Sequence, residues 1–173
     1  MRHYPLVVLV AFLCLSFSLA TAQSSPAQLC VANVQSVTGS TSTVGREALM
    51  KFLGKEKDKS VAHDVAIDAF EPEQALQQAK DKNCDYLVTT HQTESHEENT
   101  LGSGAAFGGT MTPTFYVTTT YKLTKVSDGS EMASGNVKAS DHGSEQDAIS
   151  ATMHKIADKV TQAIKKAGPI THS

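Results

Sequence analysis

A short, nearly continuous run of apolar side chains, Leu29 to Val34 (LCVANV), is bounded by polar residues and reads as a strand buried on both faces. Ser, Thr and Gly dominate 36–43, which predicts a loop supplying an N-cap at Ser42 or Thr43. From Glu47 the apolar spacing turns helical, with Leu49, Met50, Phe52 and Leu53 on one stripe and Gly54 as the expected stop. The run KEKDK at 55–59 reads as a solvated connection. Val61, Val65, Ile67 and Ala69 then fall on alternate positions, which predicts a strand over 61–70.

Pro72 just inside a helix start, Ala75, Leu76 and Ala79 on one face, and Asn83 near the stop predict a second helix. Cys84 to Thr90 (CDYLVTT) returns to strand composition, and 92–113 reads as a polar connection without a pair of membrane-spanning strands. Thr114 to Val126 is rich in β-branched and aromatic residues. Asp128-Gly129 turns it into a return strand over Glu131–Ala139, with Gly135 as a candidate bulge. Ile149, Met153, Ile156, Val160, Ile164 and Ala167 recur at helical spacing behind a Ser144 cap with Asp147 at its third position; Gly168 and Pro169 end that helix. Strand and helix alternate in the first half, which argues for parallel pairing with helical crossovers. The expectation is a single α/β domain: a mixed sheet of about five strands in the order 2-1-3-4-5, packed by three helices in the sequence β-α-β-α-β-β-β-α.

Ahead of these elements, Arg2 precedes an apolar run from Leu6 to Ala20, and Ala20, Thr21 and Ala22 form a small-residue cleavage site. That is the pattern of a secretory signal peptide, and the run is shorter than the roughly 20 residues a membrane helix needs. Neither Cys14 nor Cys30 stands in a lipobox. The expected division is a signal at 1–22, cut after Ala22, a short linker at 23–28, the domain at 29–168 and a tail at 169–173. The product is then periplasmic or secreted, with no transmembrane segment.

Cleavage removes Cys14 and leaves Cys30 and Cys84 in a compartment where disulfides persist. Each is the other's only partner within the chain. If the first and third strands are neighbours, their spacing of about 4.8 Å is within disulfide reach. Two buried free thiols are the alternative reading.

Over 173 residues the formal charge is −3 and Trp is absent. An acidic chain with few aromatics is a poor partner for nucleic acid or an anionic membrane surface. The size suits one domain.

The run AKDKNCDYLVTT and the later hairpin YKLTKVSDGSEMASG resemble the small bacterial envelope α/β modules found in the TolB amino-terminal domain, LpoB and CsgG. Ala79, Asp85 and Tyr86 match the helix-to-strand pattern of these families, and Asp128, Gly129 and Glu131 match their hairpin turn. The resemblance implies a protein-binding, accessory role in the cell envelope. The matching positions are turn and core residues, so no catalytic, metal or cofactor site is carried over.

Gly102, Gly104, Gly108 and Gly109 lead to Pro113 and a strand rather than to a helix, so they read as a flexible loop and not as a phosphate cradle. Leu101, Phe107 and Met111 in that loop are candidate contacts for a protein partner. His91, Glu94 and His96, with Glu97 and Glu98, form the cluster with metal-ligand chemistry. On a continued strand the odd separation of His91 and His96 puts them on opposite faces. Binding of a divalent metal or small ligand there is the second reading. A hydrolase is the third, because no GxSxG elbow occurs, His63 and Asp64 diverge on a strand, and His154 sits at the polar edge of the last helix. The leading expectation is a non-catalytic envelope module without catalytic residues or cofactor. The sequence leaves its oligomeric state open.

Overall fold

The computed structural model describes residues 27–36, 41–55, 61–69, 71–101 and 111–168. Their elements are β1 (Ala27–Gln35), β2 (Thr41–Ser42), α1 (Thr43–Lys55), β3 (Val61–Ile67), α2 (Pro72–Asp81), β4 (Tyr86–Leu101), β5 (Met111–Lys125), β6 (Glu131–Asp141) and α3 (Glu145–Ala167). The longer strands form one mixed sheet in the order β3-β1-β4-β5-β6, the expected arrangement, and the two-residue β2 adds to the end of β1. β1 is parallel to β3 and β4, while β4, β5 and β6 follow one another antiparallel.

Crossover handedness explains the layers. The chain steps from β1 outward to β3, then back across β1 to β4, so two right-handed crossovers must lie on opposite faces. α1 packs with α3 over Leu29, Val31, Val34, Tyr86 and Val88, whereas α2 packs over Cys30, Ala32, Ile67 and Leu87. Alternating side chains of β1 and β4 therefore feed two cores. On α3, Met153, Ile156, Val160 and Ile164 are buried, and each such side chain contributes roughly 1.5–3 kcal/mol on leaving water.

Local signals end the elements where the chemistry requires. The Ser144 hydroxyl accepts from the Asp147 backbone N–H at 3.1 Å, which caps α3, and Gly168 leaves it at φ 78°. Asn83 takes φ 55° after α2, a conformation its short polar side chain tolerates. Cys30 and Cys84 are joined by a disulfide with Cα atoms 5.8 Å apart, inside the core beneath α2. Cys30 lies within β1, and Cys84 lies just before β4.

α1 begins at Thr43, directly after Ser42, one of the two expected cap positions, and ends at Lys55, beside the expected stop at Gly54. Gly45 lets its first turn approach Val34: a Cβ there would stand 2.6 Å from Val34 Cγ2. Three expectations are corrected. The 36–43 loop contains the two-residue β2. Gly135 is no bulge but pairs with Tyr121, whose ring lies 3.4 Å from where a Cβ would be. The extra residue is Met132, at a register shift opposite Leu123 and Thr124. Finally, much of the polar connection 92–113 is paired strand: β4 continues to Leu101 and β5 starts at Met111.

Candidate functional site

All three helices begin at the carboxyl end of β1, because α1 and α2 are crossovers of parallel strands and α3 returns antiparallel to β6. Acidic residues follow the helix starts, at Glu71, Glu73, Glu145 and Asp147, and lysines follow the helix ends, at Lys55, Lys80, Lys165 and Lys166. Each placement suits the helix dipole. Their sum divides the molecule into an acidic end and a basic end. Glu94, Glu97 and Glu98 of β4 add to the acidic end, beyond what helix dipoles ask for.

The outer half of β4 and the start of β5 form an arm that is two-stranded from Glu98 and Thr114 outward. β6 reaches only as far as Phe115, where it pairs through Asp141, whereas β4 and β5 stay paired to Leu101 and Met111. Thr93 is an extra residue in β4, between Gln92 paired to Thr119 and Glu94 paired to Thr118. A one-residue bulge reverses the alternation that follows it. His91 and His96 therefore share a face, contrary to the odd-spacing expectation, together with Glu94 and Glu98. Glu97 points to the other face, so the arm carries charge on both sides.

On the shared face the His96 ring stacks on Tyr116 with centroids 5.1 Å apart. Its Nδ1 lies 3.4 Å from Glu94 and its Nε2 3.4 Å from Glu98. Glu94 also accepts from the Thr118 hydroxyl at 2.9 Å. His91 instead bonds Gln35 at 3.1 Å. Among the described residues no group of three or more His, Cys, Asp or Glu side chains is arranged to hold a metal ion. At the arm's end Leu101 and Met111 pair across the ladder, while Phe107 lies outside the described residues.

Two further imidazoles among the described residues have partners within the fold, His154 and His142. His154 is exposed and stacks on Phe52 of α1, with ring centroids 4.5 Å apart. His63 and Asp64 are consecutive residues of β3, paired with Gln28 and Leu29 of β1. One hydroxyl–imidazole pair forms, Thr114 with His142 at 2.9 Å, but Thr114 is 2% exposed, which closes its hydroxyl to a substrate.

A feature the sequence reading missed lies below the arm. At the carboxyl end of β1, beside Thr89–His91 within β4 and the first turn of α2, a cavity of about 300 Å³ is lined by Ala32, Asn33, Ala69, Glu71, Pro72 and Ala75 among others, with His91 and Lys122 also on its wall. Asn33 is buried, in a stretch of β1 where register shifts against β4. Behind it Arg46 donates to the Ile67 carbonyl at 3.1 Å and to the Asp68 carboxylate. That hydrogen bond and the guanidinium charge hold the Asp68 carboxyl below the usual carboxylate range, helped by a hydrogen bond from Asn33. The only trace in sequence was a polar residue interrupting the apolar run LCVANV.

No family profile matches the chain, and no curated protein does. Among solved structures, PelC from Paraburkholderia phytofirmans, a dodecamer, superposes with a TM-score of 0.58 at 15% identity, covering 83% of this chain and 90% of that one. A Xanthomonas campestris protein assigned to the DUF330 family matches with a TM-score of 0.50 at 10% identity, over 86% and 90% of the two chains. TolB from Acinetobacter baumannii and the LpoB C-terminal domain from Salmonella enterica are also found, at TM-scores of 0.44 and 0.41; the chain matches 29% of TolB and 83% of the LpoB domain. The chain thus shares its fold with PelC and with the Xanthomonas campestris protein.

Proposed function

We propose that this chain is an exported, non-catalytic accessory module of the bacterial cell envelope that works by binding protein through its β4–β5 arm. One observation carries the reading. Every residue of β4 from Thr93 to Asn99 is exposed although all but Thr93 pair with β5, whose Thr114, Val117 and Thr118 opposite are buried, so this stretch of β4 is ordered by its neighbour strand and not by burial of its own side chains. A protein partner gives such a projecting, charged ladder a purpose, either along its faces or at its end.

Three further features support the reading. The signal-like leader and the Cys30–Cys84 bridge suit an oxidising compartment outside the cytoplasm. Among the described residues His154 is stacked on Phe52 and His142 is bonded to buried Thr114, so neither imidazole stands as a base beside an exposed hydroxyl. PelC, which has the same fold, is a dodecamer, and the acidic and basic ends of this chain complement one another, so a second copy counts among the partners to be sought.

The test replaces Glu94, Glu97 and Glu98 with Ser in the exported protein and compares the native size of its complexes with wild type. The reading expects wild type to run as a larger assembly and the variant to fall to a smaller one at unchanged melting temperature. A wild-type protein that is monomeric and alone in its own compartment overturns it, as does an assembly indifferent to the three substitutions.

A further inference from the structure

The arm leaves one strand edge of the sheet open. β1 stops pairing with β4 at Gln35 and His91, and among the described residues no strand pairs with β4 on that side beyond this point. Past the bulge at Thr93, pairing with β5 is regular from Glu94 to Leu101. Pro113 sets its phase. A proline has no N–H to exchange, so Asn99 and Pro113 form a non-hydrogen-bonded pair. By alternation Glu94, His96 and Glu98 bond to β5, while the backbone N–H and C=O groups of Ser95, Glu97, Asn99 and Leu101 point away from it.

The other edges are blunted. On β3 the Lys82 ammonium donates to the Ala66 carbonyl at 3.0 Å, and on β6 the Lys155 ammonium donates to the Lys138 carbonyl at 2.8 Å. The open side of β5 within the arm carries Pro113, which offers a neighbour no donor. Lysine and proline commonly guard a strand edge, and β4 has neither between Gln92 and Leu101. It has carboxylates instead, Glu94 and Glu98 on one face and Glu97 on the other. Among the described residues no Lys or Arg forms an ion pair with any of the three; Glu94 and Glu98 flank His96. Lys122 is offset by Glu131 at 3.4 Å, and Lys138 lies two strands from Glu94, about 10 Å away.

We infer that this edge of β4, from Ser95 to Leu101, takes up an extended, lysine- or arginine-bearing segment of another protein as an added strand. The inference rests on the arm as the protein-binding surface and names how the partner is held. Main-chain hydrogen bonds to the outward groups supply the attachment, and side chains opposite Glu94, Glu97 and Glu98 supply the choice of partner. Carboxylates on both faces of β4 call for positive charge on both faces of the incoming strand. They also turn away a second copy of the same edge. Antiparallel pairing of two copies centred on His96 sets Glu94 against Glu98, and pairing centred on Glu97 sets that residue against itself.

The experiment titrates ¹⁵N-labelled protein, purified after export, with the acetylated and amidated peptide TKKVTKV, whose lysines fall opposite Glu98, Glu97 and Glu94 in an antiparallel strand. Binding is expected to slow hydrogen exchange at the backbone amides of Ser95, Glu97 and Asn99 about tenfold or more, and to leave those of Glu94, His96 and Glu98, already bonded to β5, unchanged. N-methylation of the peptide at its odd or at its even residues should abolish binding in one case only, because a strand turns one set of N–H groups to each neighbour. The peptide TEEVTEV should not bind. Replacing the exposed Glu94, Glu97 and Glu98 together with Gln should weaken TKKVTKV about tenfold to thirtyfold, near threefold per exposed charge pair. The inference is overturned by no binding at about millimolar peptide, by indifference to both N-methylations, or by equal binding of TEEVTEV. It is also overturned by protection of the three amides that rises with protein concentration alone, which assigns the edge to a second copy. Peptide binding that needs the carboxylates yet protects none of the three amides sinks strand addition while the arm stands as a binding surface.

Discussion

Removing the disulfide by the double substitution Cys30→Ala and Cys84→Ala has a calculable effect. The bridge joins residues 54 apart in sequence, and closing a loop of that length removes chain entropy from the unfolded state worth about 4 kcal/mol at 25 °C. The native state loses little of its own. Both cysteines are buried, at 0% and 5% exposure, among Ala32, Ile67, Ala75, Ala79 and Leu87, and alanine fills most of their volume there. The loss therefore stays near the entropic figure, a large share of the roughly 5–15 kcal/mol by which domains are stable. Equilibrium urea unfolding reads it directly, and the dependence on urea should steepen in the variant because an uncrosslinked chain exposes more surface. Wild type kept in reductant throughout the titration should approach the variant. A loss below about 1 kcal/mol, with unchanged urea dependence, would refute the claim that the bridge restrains the unfolded chain.

Other perturbations probe other parts of the fold. Gly45→Ala gains about 1 kcal/mol of helix propensity but drives a Cβ to 2.6 Å from Val34, so thermal melting should show net destabilisation, relieved when Val34→Ala is added. Ser144→Ala removes the cap of α3 and should cost about 1 kcal/mol by denaturant titration. Asp68, Asp128 and Glu131 are all held below their ordinary values, by Arg46, Ser130 and Ser134 in turn. Their contribution is complete above the usual carboxylate range and drains away as pH falls through the depressed native values; urea midpoints followed downward from about pH 5 should fall, and fall less in Arg46→Met. Burial raises the Tyr86 and Tyr121 phenols, so that part of stability should fade as pH climbs past their ordinary value of 10.0, visible in alkaline unfolding.

Most of the architecture was legible because its signals are local. Pro72, Asn83, Asp128-Gly129 and Ser144 marked boundaries by backbone chemistry, while the nearly continuous apolar run LCVANV and the strand composition of CDYLVTT marked the central strands. The arm was not legible, since THQTESHEENTL carries almost no apolar residue and pattern reading depends on a buried face. Its ladder is held by β5 as a partner strand, with β-branched Thr114, Thr118, Thr119 and Thr120 opposite, and that pairing is long-range information. The bulge at Thr93 defeated the parity argument for His91 and His96, because one inserted residue reverses every face beyond it. The cavity escaped notice for a related reason: Asn33 comes together with Asp68, Arg46 and Glu71 only after two crossovers have folded.

The account rests on the arm as a protein-binding surface, and photo-crosslinking in living cells addresses it most directly. A photoreactive amino acid placed at Glu97 should give discrete adducts of defined mass in the envelope, whereas the same probe at exposed Gln77 on α2 should give none of them. Adducts that are absent at Glu97, or the same from both positions, would contradict it.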